Sequence, residues 1–531
     1  MNKKKSYHYL FGISVLLSIT FSFVINTSAS ENLKFSNAEL KIDFAENEFI
    51  VNGSFESASD SNTKYMVVLA AYDFDDILES VSLSEAYPIT EGVNTISYNA
   101  GAIADAKKLK AYAWTTDDMT PICEPAHKLH RLRVLAIGNS FSVDAMEFLY
   151  KIAKDQGVDD IVLGNLYIGS CTLETHWTNA SGNLGKYKYY KNNTDEWRSW
   201  TGRTMLAGIQ NVDWDFITLQ QASGSSGKPE TYEPYLSNLI EYINKNKTNP
   251  DAKILWHMTW AYQQDSTHSA FPSYNSDQLT MYNAIVNAVK TQVYPHSEIA
   301  FCIPTGTVIQ NARTTYYGDK LTRDGYHLGN QQGRYIAGLT WYYTISGMPI
   351  DNMTYAPNNI LLWKSQQITM RESIENAVLY PEKVTQSKYT DQRYCYDFEN
   401  DYIEINWEPK ANSYWNSTSS ASLSTGTTDA HKKHIASKKF AKNELPNGTV
   451  ILVDTGYQYR PEGWQTENTK NSDTRPAVKT SWVFETDDSW WGTGEKAYNF
   501  RAFNISATSG ADISGKTAEA ASHFRIYVPK K

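Results

Sequence analysis

The chain has 531 residues, too many for one hydrophobic core, which predicts two to four domains. Apolar residues at 41% and aromatics at 13% exclude an intrinsically disordered chain. A formal net charge of −9, with no basic stripe, argues against a nucleic-acid partner.

Lys3, Lys4 and Lys5 precede an apolar stretch that ends in the small residues Ser28, Ala29 and Ser30. This is the layout of a secretory signal peptide over 1–30, with an uncleaved anchor as the alternative. The expectation is a bacterial protein that is secreted or held at the cell surface. No stable membrane insertion is expected after cleavage. Residues 31–128 show short alternating segments such as KYMVVLAAYDF and KLKAYAWTT, which predict a β-sandwich accessory domain.

From Leu132 the texture changes. Five apolar runs, LRVLAI, DIVLGNLYI, FITLQ, KILWHMTW and IAFCIP, alternate with helical patterns. This alternation predicts an α/β domain over 129–384, a parallel five-stranded sheet covered by helices on both faces. Ala145, Phe148, Leu149, Ile152 and Ala153 make one apolar helix face. Asp144 with Glu147 resembles a capping pair, and Gly157 ends the helix. Leu279, Tyr282, Ile285 and Val289 repeat the pattern before Pro295. In open sheets of this kind ligands bind beyond the carboxyl ends of the strands.

A linker is expected near PEKVTQSKYTDQ, and residues 385–531 return to β texture, predicting a second β-sandwich. This segment carries Trp407, Trp415, Trp464, Trp482, Trp490 and Trp491, which suit either sugar stacking or core packing. Cys123, Cys171, Cys302 and Cys395 lack C-x-x-C spacing, so metal-site spacing is absent; no cofactor is expected. Their pairing stays open, and Cys302 reads as a buried thiol.

Three pieces fall at strand ends: Gly138-Asn139-Ser140-Phe141-Ser142, Tyr167-Ile168-Gly169-Ser170 and Asp324-Gly325-Tyr326-His327. A serine hydroxyl becomes a nucleophile when a base takes its proton, and that base needs a carboxylate to orient it. Asp324 and His327, three apart, can supply both from one loop. Glu174 and His176 could line a pocket, Arg313 could hold a polar substrate, and His257 reads as a packed strand histidine. No paired-carboxylate motif for glycoside hydrolysis and no phosphate-cradling glycine loop is visible.

This constellation resembles the SGNH, or GDSL-type, hydrolase superfamily over roughly 130–380, in a secreted bacterial subgroup with G-N-S-F-S in place of G-D-S-L. The resemblance implies a flavodoxin-like sheet and a metal-free esterase. It makes Ser140 the nucleophile, His327 the general base and Asp324 its orienting carboxylate. It also implies an oxyanion hole built from the nucleophile's own N–H, the Gly169 N–H and an amide side chain. The expected asparagine of that third block is missing; Gln221 is the preferred substitute, with Gln220 as competitor.

The reading is a carboxylic ester hydrolase that deacetylates an extracellular polysaccharide or oligosaccharide. The alternatives are a lipid or short-chain ester hydrolase and a non-catalytic glycan-binding surface protein.

Overall fold

Alternation in the N-terminal segment yields two antiparallel sheets. Strands 35–45, 48–57 and 92–101 form one; strands 61–72, 78–83, 87–89, 108–115 and 126–129 form the other. Phe49, Val51, Phe55 and Ile96 of the first sheet share a buried cluster with Val67, Leu69, Leu109 and Ala111 of the second. That is the expected sandwich.

The structure is a computed structural model that describes residues 34–351, 353–357, 363–415, 423–454, 457–464, 483–486, 491, 499–513 and 517–530. The expected signal peptide, and Trp482 and Trp490, lie outside these residues. The chain forms two compact units. One runs to Gln310 and adds 319–357 and 374–385; the other takes 311–318, 358–373 and 386 onward.

In the first unit the sandwich is followed by a seven-stranded mixed sheet. Its strands are β1 (Arg131–Gly138), β2 (Asp160–Tyr167), β3 (Tyr187–Asn192), β4 (Arg198–Arg203), β5 (Phe216–Leu219), β6 (Lys253–His257) and β7 (Ile299–Ile303). The order is β4-β3-β2-β1-β5-β6-β7. The pairs β2–β1, β1–β5, β5–β6 and β6–β7 are parallel. β3 pairs antiparallel with β2, and β4 antiparallel with β3. The sheet is therefore mixed where a purely parallel one was expected. The added hairpin carries KYKYYKN in place of an apolar run, and its outer strand β4, at the sheet edge, is exposed throughout.

The helix expected from Asp144 begins earlier and is broken in two. α1 covers Ser140–Met146 and α2 covers Leu149–Asp155. Asn139, not Asp144, is the N-cap, and its side chain accepts the Phe141 N–H. Chain order reverses between β1 and β5, so the crevice at their carboxyl ends is the switch point where open sheets bind ligands. Further along, α3 (Leu173–Ser181) follows β2, and α4 (Gln278–Ala288) is capped by Asp277. Of its expected apolar face, Tyr282 and Ile285 are buried, but Leu279 is exposed and Met281 takes its place.

The second unit holds a four-stranded sheet (402–405, 450–453, 483–485, 524–529) and a five-stranded sheet (410–411, 435–436, 440–441, 457–464, 500–507). Ile451, Phe524 and Ile526 of one share a core with Ile435, Tyr459 and Phe503 of the other. Trp407 and Trp491 are buried in that core, so these two pack and offer no exposed ring. Among the described residues no helix is long and apolar enough to cross a membrane.

Candidate active site

β1 ends at Gly138, and the chain turns directly into α1, leaving Ser140 partly exposed at the helix start. A side chain at Gly138 would bring its Cβ to 2.6 Å from Ser142 Oγ and 2.9 Å from Gln220 Oε1; only glycine fits there. Asn139 is 2% exposed. Its amide donates to the Cys171 carbonyl at 3.3 Å, while its oxygen accepts from Phe141 N at 3.0 Å and from Gln220 Nε2 at 2.8 Å. One residue thus ties the end of β1 to the turn after β2 and to the end of β5.

Asp324 and His327 arrive on a loop ahead of α5 (Gln332–Ser346). Asp324 Oδ2 accepts from His327 Nδ1 at 2.7 Å, and Ser140 Oγ lies 2.8 Å from His327 Nε2. The carboxylate can only accept, so the imidazole proton sits on Nδ1 and Nε2 accepts the serine hydroxyl. Asp324 Oδ1 accepts the backbone N–H groups of His327 at 2.7 Å and Tyr326 at 3.2 Å. Partial burial pushes the Asp324 carboxyl up, but these hydrogen bonds outweigh it and hold the carboxyl below its ordinary value.

Sequence reasoning missed what fixes that loop. Asp144 is 1% exposed. It accepts from Leu328 N at 2.8 Å, Arg323 Nη1 at 3.0 Å and Arg334 Nε at 2.8 Å. Its role as a cap is thereby corrected: it is a mid-helix acid that grips the histidine loop. Trp260 was missed as well. It is fully buried, stacks on Phe141 with centroids 4.3 Å apart, and donates Nε1–H to the Tyr326 carbonyl at 2.7 Å.

Tyr326 lies edge-on to His268, with centroids 4.6 Å apart, and His268 Nδ1 accepts the Ala270 N–H at 3.1 Å. Burial and then the nearby His327 lower the pKa of His268. An aromatic-rich run across the end of β6, WHMTWAY, was the available signal for this wall.

Gly169 lies in an exposed turn, and Ser170 takes a left-handed φ of 54°. Ile168 N donates to the Gly138 carbonyl at 3.2 Å, which sets the turn against the Ser140 loop. Among the described residues no acceptor takes the N–H of Ser140 or of Gly169.

The glutamines differ from expectation. Gln221 is 1% exposed, and its amide donates to both the carbonyl and the hydroxyl of Thr231, each at 3.1 Å. Its oxygen accepts from Leu173 N and Ala222 N. Both of its N–H groups are therefore engaged, and Gln221 offers none to a substrate. Gln220 gives its amide to Asn139 and lies 3.0 Å from His257 Nδ1.

The remaining candidates pack. His257 and His176 are fully buried, and burial lowers each to a pKa of about 3. His176 stacks on Tyr187, with its Nδ1 2.9 Å from the Tyr187 hydroxyl, so it lines no open pocket. Glu174 accepts from Tyr235 at 3.0 Å. Arg313 is buried within the second unit. Cys171 and Cys302 are buried thiols pushed up to about 12 by desolvation. Among the described residues no group of three or more His, Cys, Asp or Glu is placed to hold a metal ion.

No curated protein matches the chain. A carbohydrate acetylesterase from Xanthomonas citri is similar over 88% of this chain and 94% of its own, at 8% identity and a TM-score of 0.22, too little to carry an argument. A DUF4886 family protein from Bacteroides uniformis ATCC 8492 is 37% identical, covering 48% of this chain and 98% of that chain, with a TM-score of 0.46. The model of a domain of unknown function, DUF4886, matches residues 133–373, which hold Ser140, Asp144, Asp324 and His327. Through this segment the chain belongs to the DUF4886 family.

Proposed function

We propose that the protein is a serine ester hydrolase of SGNH type that removes acetyl groups from an extracellular polysaccharide. The relay of Ser140 Oγ, His327 and Asp324, at 2.8 and 2.7 Å, carries this reading. As Ser140 Oγ attacks the ester carbonyl, its proton passes to His327 Nε2, and Asp324 stabilises the imidazolium that forms. His327 then returns the proton to the departing sugar hydroxyl. The acetyl group stays on Ser140 until a water, deprotonated by His327, releases acetate.

The tetrahedral oxyanion needs donors, each worth about 3 kcal/mol. The N–H groups of Ser140 and Gly169 supply them, because each is without an acceptor among the described residues and the two loops are tied by Asn139. The parallel strand order β2-β1-β5-β6-β7, with Ser140 at the switch point, supports the flavodoxin-like assignment. The glycan as substrate rests on the β modules that precede and follow the α/β segment in the chain.

The test compares wild type with Ser140→Ala on p-nitrophenyl acetate and on acetylated xylan and pectin. Acetate release from a polysaccharide, abolished by Ser140→Ala, is the expected result. Undiminished hydrolysis in the variant removes Ser140 from the mechanism, and cleavage of longer acyl esters alone removes the glycan.

A further inference from the structure

The hairpin β3–β4 carries a surface remote from the serine chemistry. Tyr189 pairs with Trp200 and Tyr187 with Arg203, and directly opposed residues share a face of the sheet. Trp200 and Arg203 therefore lie on the side that also presents Tyr189 and, two residues on, Lys191. The short helix Met205–Ile209 follows at once. A groove of about 320 Å³ results, lined by Tyr189, Lys191, Trp200, Arg203 and Asn211.

The lining has one apolar plate and two cations. Trp200 is 40% exposed, and its ring lies against Tyr189 at 6.1 Å and 29°. Asn211 Oδ1 accepts from Tyr189 Oη at 3.1 Å and Lys191 Nζ at 2.9 Å, which fixes the lysine over the groove. Neither Lys191 nor Arg203 has a carboxylate partner among the described residues. In a chain of net charge −9, two adjacent cations without a carboxylate between them leave the groove locally positive. Burial lowers the Lys191 ammonium, a cost that an incoming anion would offset.

We propose that this groove binds a carboxylate-bearing sugar, a uronic acid residue of a glycan chain. The apolar face of the pyranose packs on the Trp200 indole. The carboxylate takes the planar fork of Arg203 with Lys191 beside it. The volume is at the small end of ligand sites and suits one sugar unit. Arg203, opposite Tyr187, lies toward the carboxyl end of β2. The groove's strand is three spacings, about 14 Å, from the strand that presents Ser140. The inference goes beyond the hydrolytic reading and does not need it.

Calorimetric titration of the full chain with trigalacturonic acid and with xylotriose tests it. Trigalacturonate is expected to bind at least tenfold more tightly than the neutral trimer and to weaken between 50 and 500 mM salt. Arg203→Gln and Trp200→Ala are each expected to weaken it at least tenfold, with Trp200→Phe used if the alanine variant melts early. Ser140→Ala is expected to bind as wild type does. Absence of binding, equal affinity for both trimers, wild-type affinity in Arg203→Gln, or loss of binding in Ser140→Ala overturns the proposal. An inert esterase assay with this binding intact removes the hydrolytic reading and leaves the groove.

Discussion

The Asp144 carboxylate accepts the backbone N–H of Leu328 at 2.8 Å, so the helix that begins at Ser140 holds the residue next to His327. Serine and histidine, 187 positions apart, are registered by this acid and by the arginines Arg323 and Arg334 that share it. Asp144→Ala leaves two cations facing each other across a buried gap. Both arginines stay partly solvated, so the expected loss is at the low end for a broken buried pair, about 3 kcal/mol. Thermal unfolding should show it, together with a fall in kcat that exceeds any rise in KM.

Asp324 sets a pH dependence with a definite sign. Its folded carboxyl is held below the ordinary value, so its stabilising contribution is fully present above the unfolded pKa of about 3.9. That contribution is lost as the pH falls through the lower, folded value. The difference in melting temperature between wild type and Asp324→Asn should be constant from pH 7 to 5 and shrink below about pH 4. At neutral pH Asp324→Asn should lower kcat about 10³- to 10⁴-fold, because the amide favours the wrong imidazole tautomer.

The glutamine pair separates packing from catalysis. Gln221 has its amide on Thr231, so Gln221→Ala should lower stability by about 1–3 kcal/mol and kcat less than tenfold. A 10²- to 10³-fold loss of kcat with an unchanged melting temperature would restore it as an oxyanion donor.

Gly138→Ala tests the crowding behind the serine. Its Cβ would meet Ser142 Oγ and Gln220 Oε1, both on buried side chains that have little room to yield. Expected are a lower melting temperature, by roughly 1–3 kcal/mol of overpacking, and weaker esterase activity from a displaced Ser140. Circular dichroism melting and p-nitrophenyl acetate turnover measure the two effects.

The relay was legible because each member sits in a short local pattern at a strand end: Ser140 between Gly138 and α1, and Asp324 three residues before His327. The apolar runs of β1, β5, β6 and β7 were legible for the same reason, since strands buried on both faces are spelled by unbroken aliphatic runs. What holds the relay was not. Asp144 followed by Glu147 looks like a cap, and nothing near it reveals arginines 179 and 190 positions away. Gln221 was misjudged because its acceptor, Thr231, lies in a following loop with no pattern of its own. The β3–β4 hairpin escaped because it lacks the unbroken aliphatic run by which the other strands of its sheet were picked out.

Asn139 has one more consequence. An aspartate there could not donate to the Cys171 carbonyl, and the two oxygens would face each other across the 3.3 Å now bridged by an amide. It would also set a full negative charge one residue from Ser140, in low-dielectric surroundings that screen it poorly. With the amide, the same three loops are joined by a group that carries no charge. In the proposed reaction, the negative charge growing on a bound ester would meet open N–H dipoles with no fixed anion at position 139 to oppose them.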